Sequence, residues 1–132
     1  MDKYSFIHYK TGILALDEQH WELFTILNEM RAAQACNDVI KARTLLNYFS
    51  SKLSEHGVFE EYLMRSCGYP YFDFHLSHHP ESFKQLKRYC DTKAIHGDIL
   101  CTDIVKISTL LSEHIDHYDI QFGVWYTKNI NK

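Results

Sequence analysis

Seven residues of this 132-residue chain are of types that bind metal ions, and their spacing groups them. They are His20, then His56 and Glu60 as H-x-x-x-E, His75 and His79 as H-x-x-x-H, and His114 and Asp119 as H-x-x-x-x-D. A separation of three or four residues sets two side chains on one helix face, one turn apart. Five imidazoles and two carboxylates from four segments can therefore converge inside a helical bundle. Imidazole suits iron, zinc and copper, and carboxylates can bridge two such ions. The set is too rich for one ion and the right size for two. Taken singly, each of these residues reads as a solvated polar group on an amphipathic helix. As an ordered set they do not, because polar residues within apolar stripes are costly to bury without partners. Zinc is the competing metal, but the H-E-x-x-H helix of zinc proteases is absent.

The flanking residues extend the pattern. T-G-I-L-A-L-D-E-Q-H (11 to 20), H-G-V-F-E-E-Y-L-M (56 to 64), G-Y-P (68 to 70), H-L-S-H-H (75 to 79) and H-I-D-H-Y-D (114 to 119) follow in order, with a 15-residue step from Glu60 to His75. Together they cover most of the chain, and the chain so read resembles the hemerythrins, the non-haem di-iron oxygen-binding proteins. The resemblance implies that His75, His79 and His114 hold one iron and that His20 and His56 hold the other. Glu60 and Asp119 would bridge the two irons, together with an oxo or hydroxo group. Two octahedral irons offer about twelve positions, of which this set fills roughly eleven. A closed site is usually structural, whereas an open position implies that something binds there. In the family that ligand is dioxygen.

Three departures from the family pattern bear on that expectation. Pro80 directly follows His79, removes a helical hydrogen bond and disfavours helical geometry at the ligand, so a kink there could shift ligation to His78. The H-x-x-x-H step from His75 nevertheless favours His79 over His78 on grounds of helical phase. Gly57 stands where the family commonly carries Phe beside the ligand, and Leu110 stands where Trp is common. The expected lining of the ligand pocket is Leu23, Gly57, Leu110, Leu111 and Ile115. Gly57 suggests a more open pocket than a phenyl ring would leave, unless Phe24 or Phe59 swings across.

The elements that must position these groups are helical throughout. Residues 1–16 read as a non-helical arm, and a helix follows Asp17, a good N-cap residue, with Leu23, Phe24, Ile26, Leu27 and Met30 at helical spacing to about Ala35. Asn37 or Asp38 caps a second helix through Val39, Leu45, Leu46, Phe49, Leu53, Phe59 and Leu63, closed by Gly68. Asp73 caps a third helix to about Ala94, and His96-Gly97-Asp98 makes the next turn. A fourth helix turns Ile104, Ile107, Leu110, Leu111, Ile115, Phe122 and Trp125 inward. The expected fold is an all-α, up-down-up-down four-helix bundle over residues 17–128, in one domain spanning 1–132.

Composition bounds the rest. Apolar residues make up 45% of the chain, enough for a core without disulfides, and the net charge of −3 with no long basic run argues against nucleic acid. Cys36, Cys67, Cys90 and Cys101 form no C-x-x-C pair, which points to reduced thiols and a cytoplasmic location. No run is apolar enough for a membrane span, and no leader-like start is evident. His8, His96 and His117 read as surface or loop residues, and Trp21 and Trp125 as packing residues. The expected function is reversible dioxygen binding for storage, delivery or sensing, because the set has few carboxylates and is less anionic than di-iron enzymes built on Glu and E-x-x-H. An oxidase or a peroxide or nitric-oxide scavenger is the alternative, and iron storage a further one.

Overall fold

In a computed structural model the backbone is described for residues 10–95 and 97–130, and side chains for the same residues except 74–82. The helices are α1 (Leu14–Ala35), α2 (Val39–Cys67), α3 (Phe72–Ile95), α4 (Cys101–His114) and α5 (Ile120–Asn129). A five-residue π-helical turn, Ile115–Asp119, joins α4 to α5 without a break, so the two act as the fourth helix of a bundle. α1 packs on α2, α2 on α3, α3 on α4, and α4 returns to α1. The described residues contain no strand, and the all-α expectation holds.

The caps show why the chain turns where it does. Asp38 accepts a hydrogen bond from Lys41 N–H at 3.1 Å and caps α2. Asn37 takes the left-handed conformation (φ 57°) that reverses the chain just before it. Gly68 closes α2 at φ 71°, where a side chain would be strained. Asp103 accepts from Leu100 N–H at 2.8 Å and from the Tyr89 hydroxyl at 2.6 Å, so it caps α4 and ties it to α3. On the other side of α3, Ser50 donates to Asp91 at 2.7 Å while Lys87 reaches both, which pins α3 to α2.

Two boundaries differ from the sequence expectation. α1 begins at Leu14, so Asp17 lies in its first turn and is not its N-cap. Its carboxylate reaches back instead and accepts from Thr11 N–H (2.7 Å), the Thr11 hydroxyl (2.8 Å) and Gly12 N–H (3.2 Å). A carboxylate in a first turn also faces the positive end of the helix dipole. α3 begins at Phe72, one residue before the expected cap Asp73, and runs on through position 80 to Ile95, so Pro80 does not end it. The arm up to residue 9 and His96 lie outside the described residues.

The core is in two parts. The larger cluster holds Leu23, Phe24, Ile26, Leu27, Met30, Leu46, Phe49, Leu53, Leu86, Ile104, Ile107, Leu111 and Ile115. A smaller one holds Leu16, Met64, Tyr69 and Phe122, with Phe59, Leu63 and Trp125 packed on it. Of the residues expected inward, Val39 is exposed, because it is the first residue of α2 and precedes the packed part of the helix. Leu110 and Trp125 are half-buried at the cluster edges.

Candidate metal centre

Between the two apolar clusters lies a polar layer. On α1, His20 falls between Leu16 of the smaller cluster and Leu23 of the larger; on α2, His56 and Glu60 fall between Leu53 and Met64. In the fourth helix Asp119 falls between Ile115 and Phe122. Each helix thus carries its polar residue on the face that the flanking leucines, isoleucines and phenylalanine have already turned inward. His20, Glu60 and Asp119 have 0% exposure and His56 1%, which is unusual for such groups unless they are paired or hold a metal.

The donor atoms converge. His20 Nε2 lies 3.3 Å from His56 Nε2, and both face one carboxylate oxygen, Asp119 Oδ2, at 2.8 and 3.2 Å. Glu60 Oε2 is 3.2 Å from His56 Nε2. His20, His56, Glu60 and Asp119 each offer a ligand atom within 4.8 Å of the others, and the four could hold a metal ion. The second oxygen of Asp119 turns the other way, with Oδ1 3.4 Å from His114 Nε2. Ligands about 2.1 Å from an octahedral ion stand roughly 3 Å apart, which is the spacing found among these atoms. The donor set, imidazole plus carboxylate, fits iron as well as zinc.

His114 and Asp119 are five residues apart, a separation that the one-turn rule does not cover. In a regular α-helix they would point about 140° apart. The π-helical turn between them takes one more residue per turn and brings both to the inner face. That widened turn is what lets Asp119 stand between two groups of histidines, and a spacing of five is the signal for it in the sequence.

The buried carboxylates and imidazoles of this layer set one another's charge. Burial pushes the His20 imidazole down, and its hydrogen bond to Asp119 only partly offsets this. Burial acts against the His56 charge too, but hydrogen bonds to Asp119 and Glu60 outweigh it and hold His56 up at about 10. Asp119 is disfavoured by burial and yet held well below the usual carboxylate range by His114, His20 and His56. His20 Nδ1, buried, has no hydrogen-bond partner among the described residues.

Two residues near the centre were not singled out in the sequence. Gln19 Oε1 accepts from His56 Nδ1 at 2.7 Å, which directs Nε2 at the carboxylates. Phe83, from α3, lays its ring tip against Gly57: a Cβ built on that glycine would meet Phe83 Cζ at 2.8 Å and Cε2 at 3.0 Å. The opening expected beside His56 is therefore filled, by Phe83 and not by Phe24 or Phe59. A glycine without a Cβ is what admits the ring so close to the helix backbone. The other expected pocket residues, Leu23, Leu111 and Ile115, are buried in the larger cluster, with Leu110 at its edge. Of the seven expected ligands, the structure brings His20, His56, Glu60, His114 and Asp119 together. The calls on His75 and His79, and the choice between His79 and His78, concern side chains outside the described residues.

No helix among the described residues is long and apolar enough to cross a membrane. Neither the curated proteins nor the solved structures compared with the chain gave a match. The model of one protein family does match: the hemerythrin HHE cation binding domain, over residues 11–119. That match runs from the Thr11–Asp17 latch to Asp119 and takes in every residue of the polar layer, and on it the chain belongs to the hemerythrin HHE cation-binding family.

Proposed function

We propose that the chain holds two iron ions and binds dioxygen reversibly between its helices, in storage, delivery or sensing. The observation that carries this reading is the two-sided Asp119 carboxylate. Oδ2 faces His20 and His56, while Oδ1 faces His114. One carboxylate serving two histidine groups is the arrangement that a bridge between two ions needs, and a single ion would leave one side unused. In this reading His20 and His56 would hold one iron, His114 with His75 and His79 would hold the other, and Glu60 and Asp119 would be shared between them. Bound iron, with its oxo or hydroxo bridge, would supply the redox pair and an open position for dioxygen.

The protein's own part is to orient and to exclude water. Gln19 fixes the His56 ring so that Nε2 points inward. The larger cluster, through Leu23, Leu111 and Ile115, supplies apolar walls next to His20 and His114. Such walls lower the local dielectric and keep protons from the bound ligand, which favours its release unchanged.

The test is spectroscopic. The chain is loaded with ferrous iron without air, exposed to air, and then degassed while its visible spectrum is followed. An absorption band that appears with air and vanishes on degassing, over repeated cycles at two irons per chain, is the expected result. Iron bound with no such cycle overturns the dioxygen reading, and a stoichiometry of one overturns the two-ion site.

A further inference from the structure

Gly57 and Phe83 sit on different helices and share one space. The three atoms nearest to a Cβ built on Gly57 all belong to the Phe83 ring: Cζ at 2.8 Å, Cε2 at 3.0 Å and Cε1 at 3.3 Å. The same ring stands 6.1 Å from the His114 ring, centroid to centroid, at 61°. Gly57 directly follows His56, and the His56 and His114 rings are 6.5 Å apart. One phenyl group thus touches the backbone beside one histidine of the centre and the imidazole of another.

Its setting makes it more than packing. Gly57 is buried, whereas Phe83 is half-buried, so the ring reaches from the surface seam of α2 and α3 inward to the polar layer. One turn further along α3, Lys87 bonds Ser50 and Asp91 and holds α3 against α2. That tie fixes the helix that carries the ring while leaving the ring its own two torsions. A side chain fixed at its root, apolar, and placed between solvent and a buried polar centre can exclude water at rest and let a small molecule pass when it turns.

We infer that Phe83 is the wall and gate of the ligand pocket on the α2–α3 seam, and that Gly57 is the slot that admits it. The inference rests on the two-iron reading above. The ligands it would pass are small and uncharged or singly charged, such as dioxygen or azide.

The test is a two-by-two set of full-length chains: wild type, Phe83→Ala, Gly57→Phe, and both together. In the oxidised, iron-loaded proteins, stopped-flow azide binding reads access to the metals. Phe83→Ala should speed azide entry about tenfold, the lower end of what residues around a metal site usually change. The double variant, with a phenyl group restored from the α2 side, should fall back toward the wild-type rate. In the metal-free proteins, thermal unfolding reads the shared space. Gly57→Phe alone should lower Tm, and adding Phe83→Ala should recover part of the loss. Unchanged azide entry in Phe83→Ala overturns the gate. Strictly additive Tm changes overturn the slot, and they do so even if a variant fails to take up iron. Azide entry does not need reversible oxygen binding, so a wild-type protein that takes azide but fails the air–degassing cycle sinks the dioxygen reading and leaves the gate standing.

Discussion

Gln19 Oε1 accepts a hydrogen bond from His56 Nδ1 at 2.7 Å, and this one contact turns Nε2 of His56 toward the buried polar layer. Gln19 directly precedes His20 on α1, so neighbouring residues of one helix supply a candidate ligand and the support of another candidate ligand from α2. A metal binds imidazole through a nitrogen without a proton, and with Nδ1–H held by Gln19 that nitrogen is Nε2, whose own proton, shared with Asp119 and Glu60, must leave as the metal enters.

Removing that support should weaken metal binding. Gln19→Leu keeps the bulk and deletes the acceptor, and a loss of about tenfold in affinity is expected from such a partner. Competition with a chelator measures it. Gln19→Glu keeps an acceptor and should retain most of the affinity. Equal affinity in wild type and Gln19→Leu would show that His56 needs no such support.

The π-helical turn gives a second prediction. Asp116 and His117 are exposed on the outside of that turn. Inserting one alanine between them should carry Asp119 roughly 100° further round the helix, away from the inner face. Metal analysis should then show loss of at least one ion, with helical circular dichroism largely kept. Asp119→Asn leaves the turn intact and isolates the loss of the carboxylate charge. If the insertion keeps full occupancy, the spacing through the turn is not what places Asp119.

Metal removal is the third. Glu60 and Asp119 are fully buried together with three histidines, and without a cation such groups must satisfy one another at close quarters. An ion bound only by the folded chain adds stability by mass action. The loaded protein should therefore unfold at higher temperature than the metal-free one, with Tm rising as free metal rises. In Glu60→Ala that rise should shrink markedly. A Tm independent of metal would argue against any tight site in this layer.

The polar residues on α1, α2 and the fourth helix were legible because they interrupt apolar stripes at helical spacing, and the structure buries them in one layer. Helix caps at Asp38 and Gly68 were legible for a local reason, since each is set by its own side chain or its lack of one. The start of α1 was not. Asp17 satisfies the rule for an N-cap, but its carboxylate bonds Thr11 and Gly12, which depends on where the preceding segment lies. Gly57 misled in the same way. Its missing side chain reads as empty space along α2, and only the position of α3 shows Phe83 filling it. Contacts between helices are what a single sequence does not carry.

Acid stability gives the fourth prediction. Burial pushes the Asp103 carboxyl up, but the Tyr89 hydroxyl, the Leu100 N–H and Lys93 together outweigh it and hold it below the usual value. A depressed carboxyl stabilises the fold above its unfolded pKa, and that contribution is lost as pH falls through the folded value. Tyr89→Phe removes one of these bonds and should cost about 1–2 kcal/mol at neutral pH. It should also raise the Asp103 pKa, so acid unfolding begins at a higher pH than in wild type. Urea titrations at a series of pH values measure both. An unchanged acid midpoint would mean that Lys93 and Leu100 suffice.

Gly123 carries the last prediction. A Cβ at this position would lie 2.1 Å from the Thr11 carbonyl oxygen and 2.7 Å from two further Thr11 atoms, one of them backbone. Thr11 cannot simply yield, because its N–H and hydroxyl are both held by Asp17 on α1. The seam between α1 and α5 is thus closed by a glycine on one side and a carboxylate latch on the other. His20 lies one turn after Asp17, and Asp119 one turn before Gly123, so the seam also sets the 2.8 Å contact between His20 and Asp119. Gly123→Ala forces the two apart and should cost about 1–3 kcal/mol, the range for overfilling a packed site. It should weaken metal binding as well, since one candidate ligand sits on each side of the seam. Val124→Ala, at an exposed neighbour, should change stability by less than about 0.5 kcal/mol. Thermal unfolding and chelator competition on the two variants decide the matter: a Gly123→Ala protein that unfolds and holds metal like wild type would show that the seam does not position the centre.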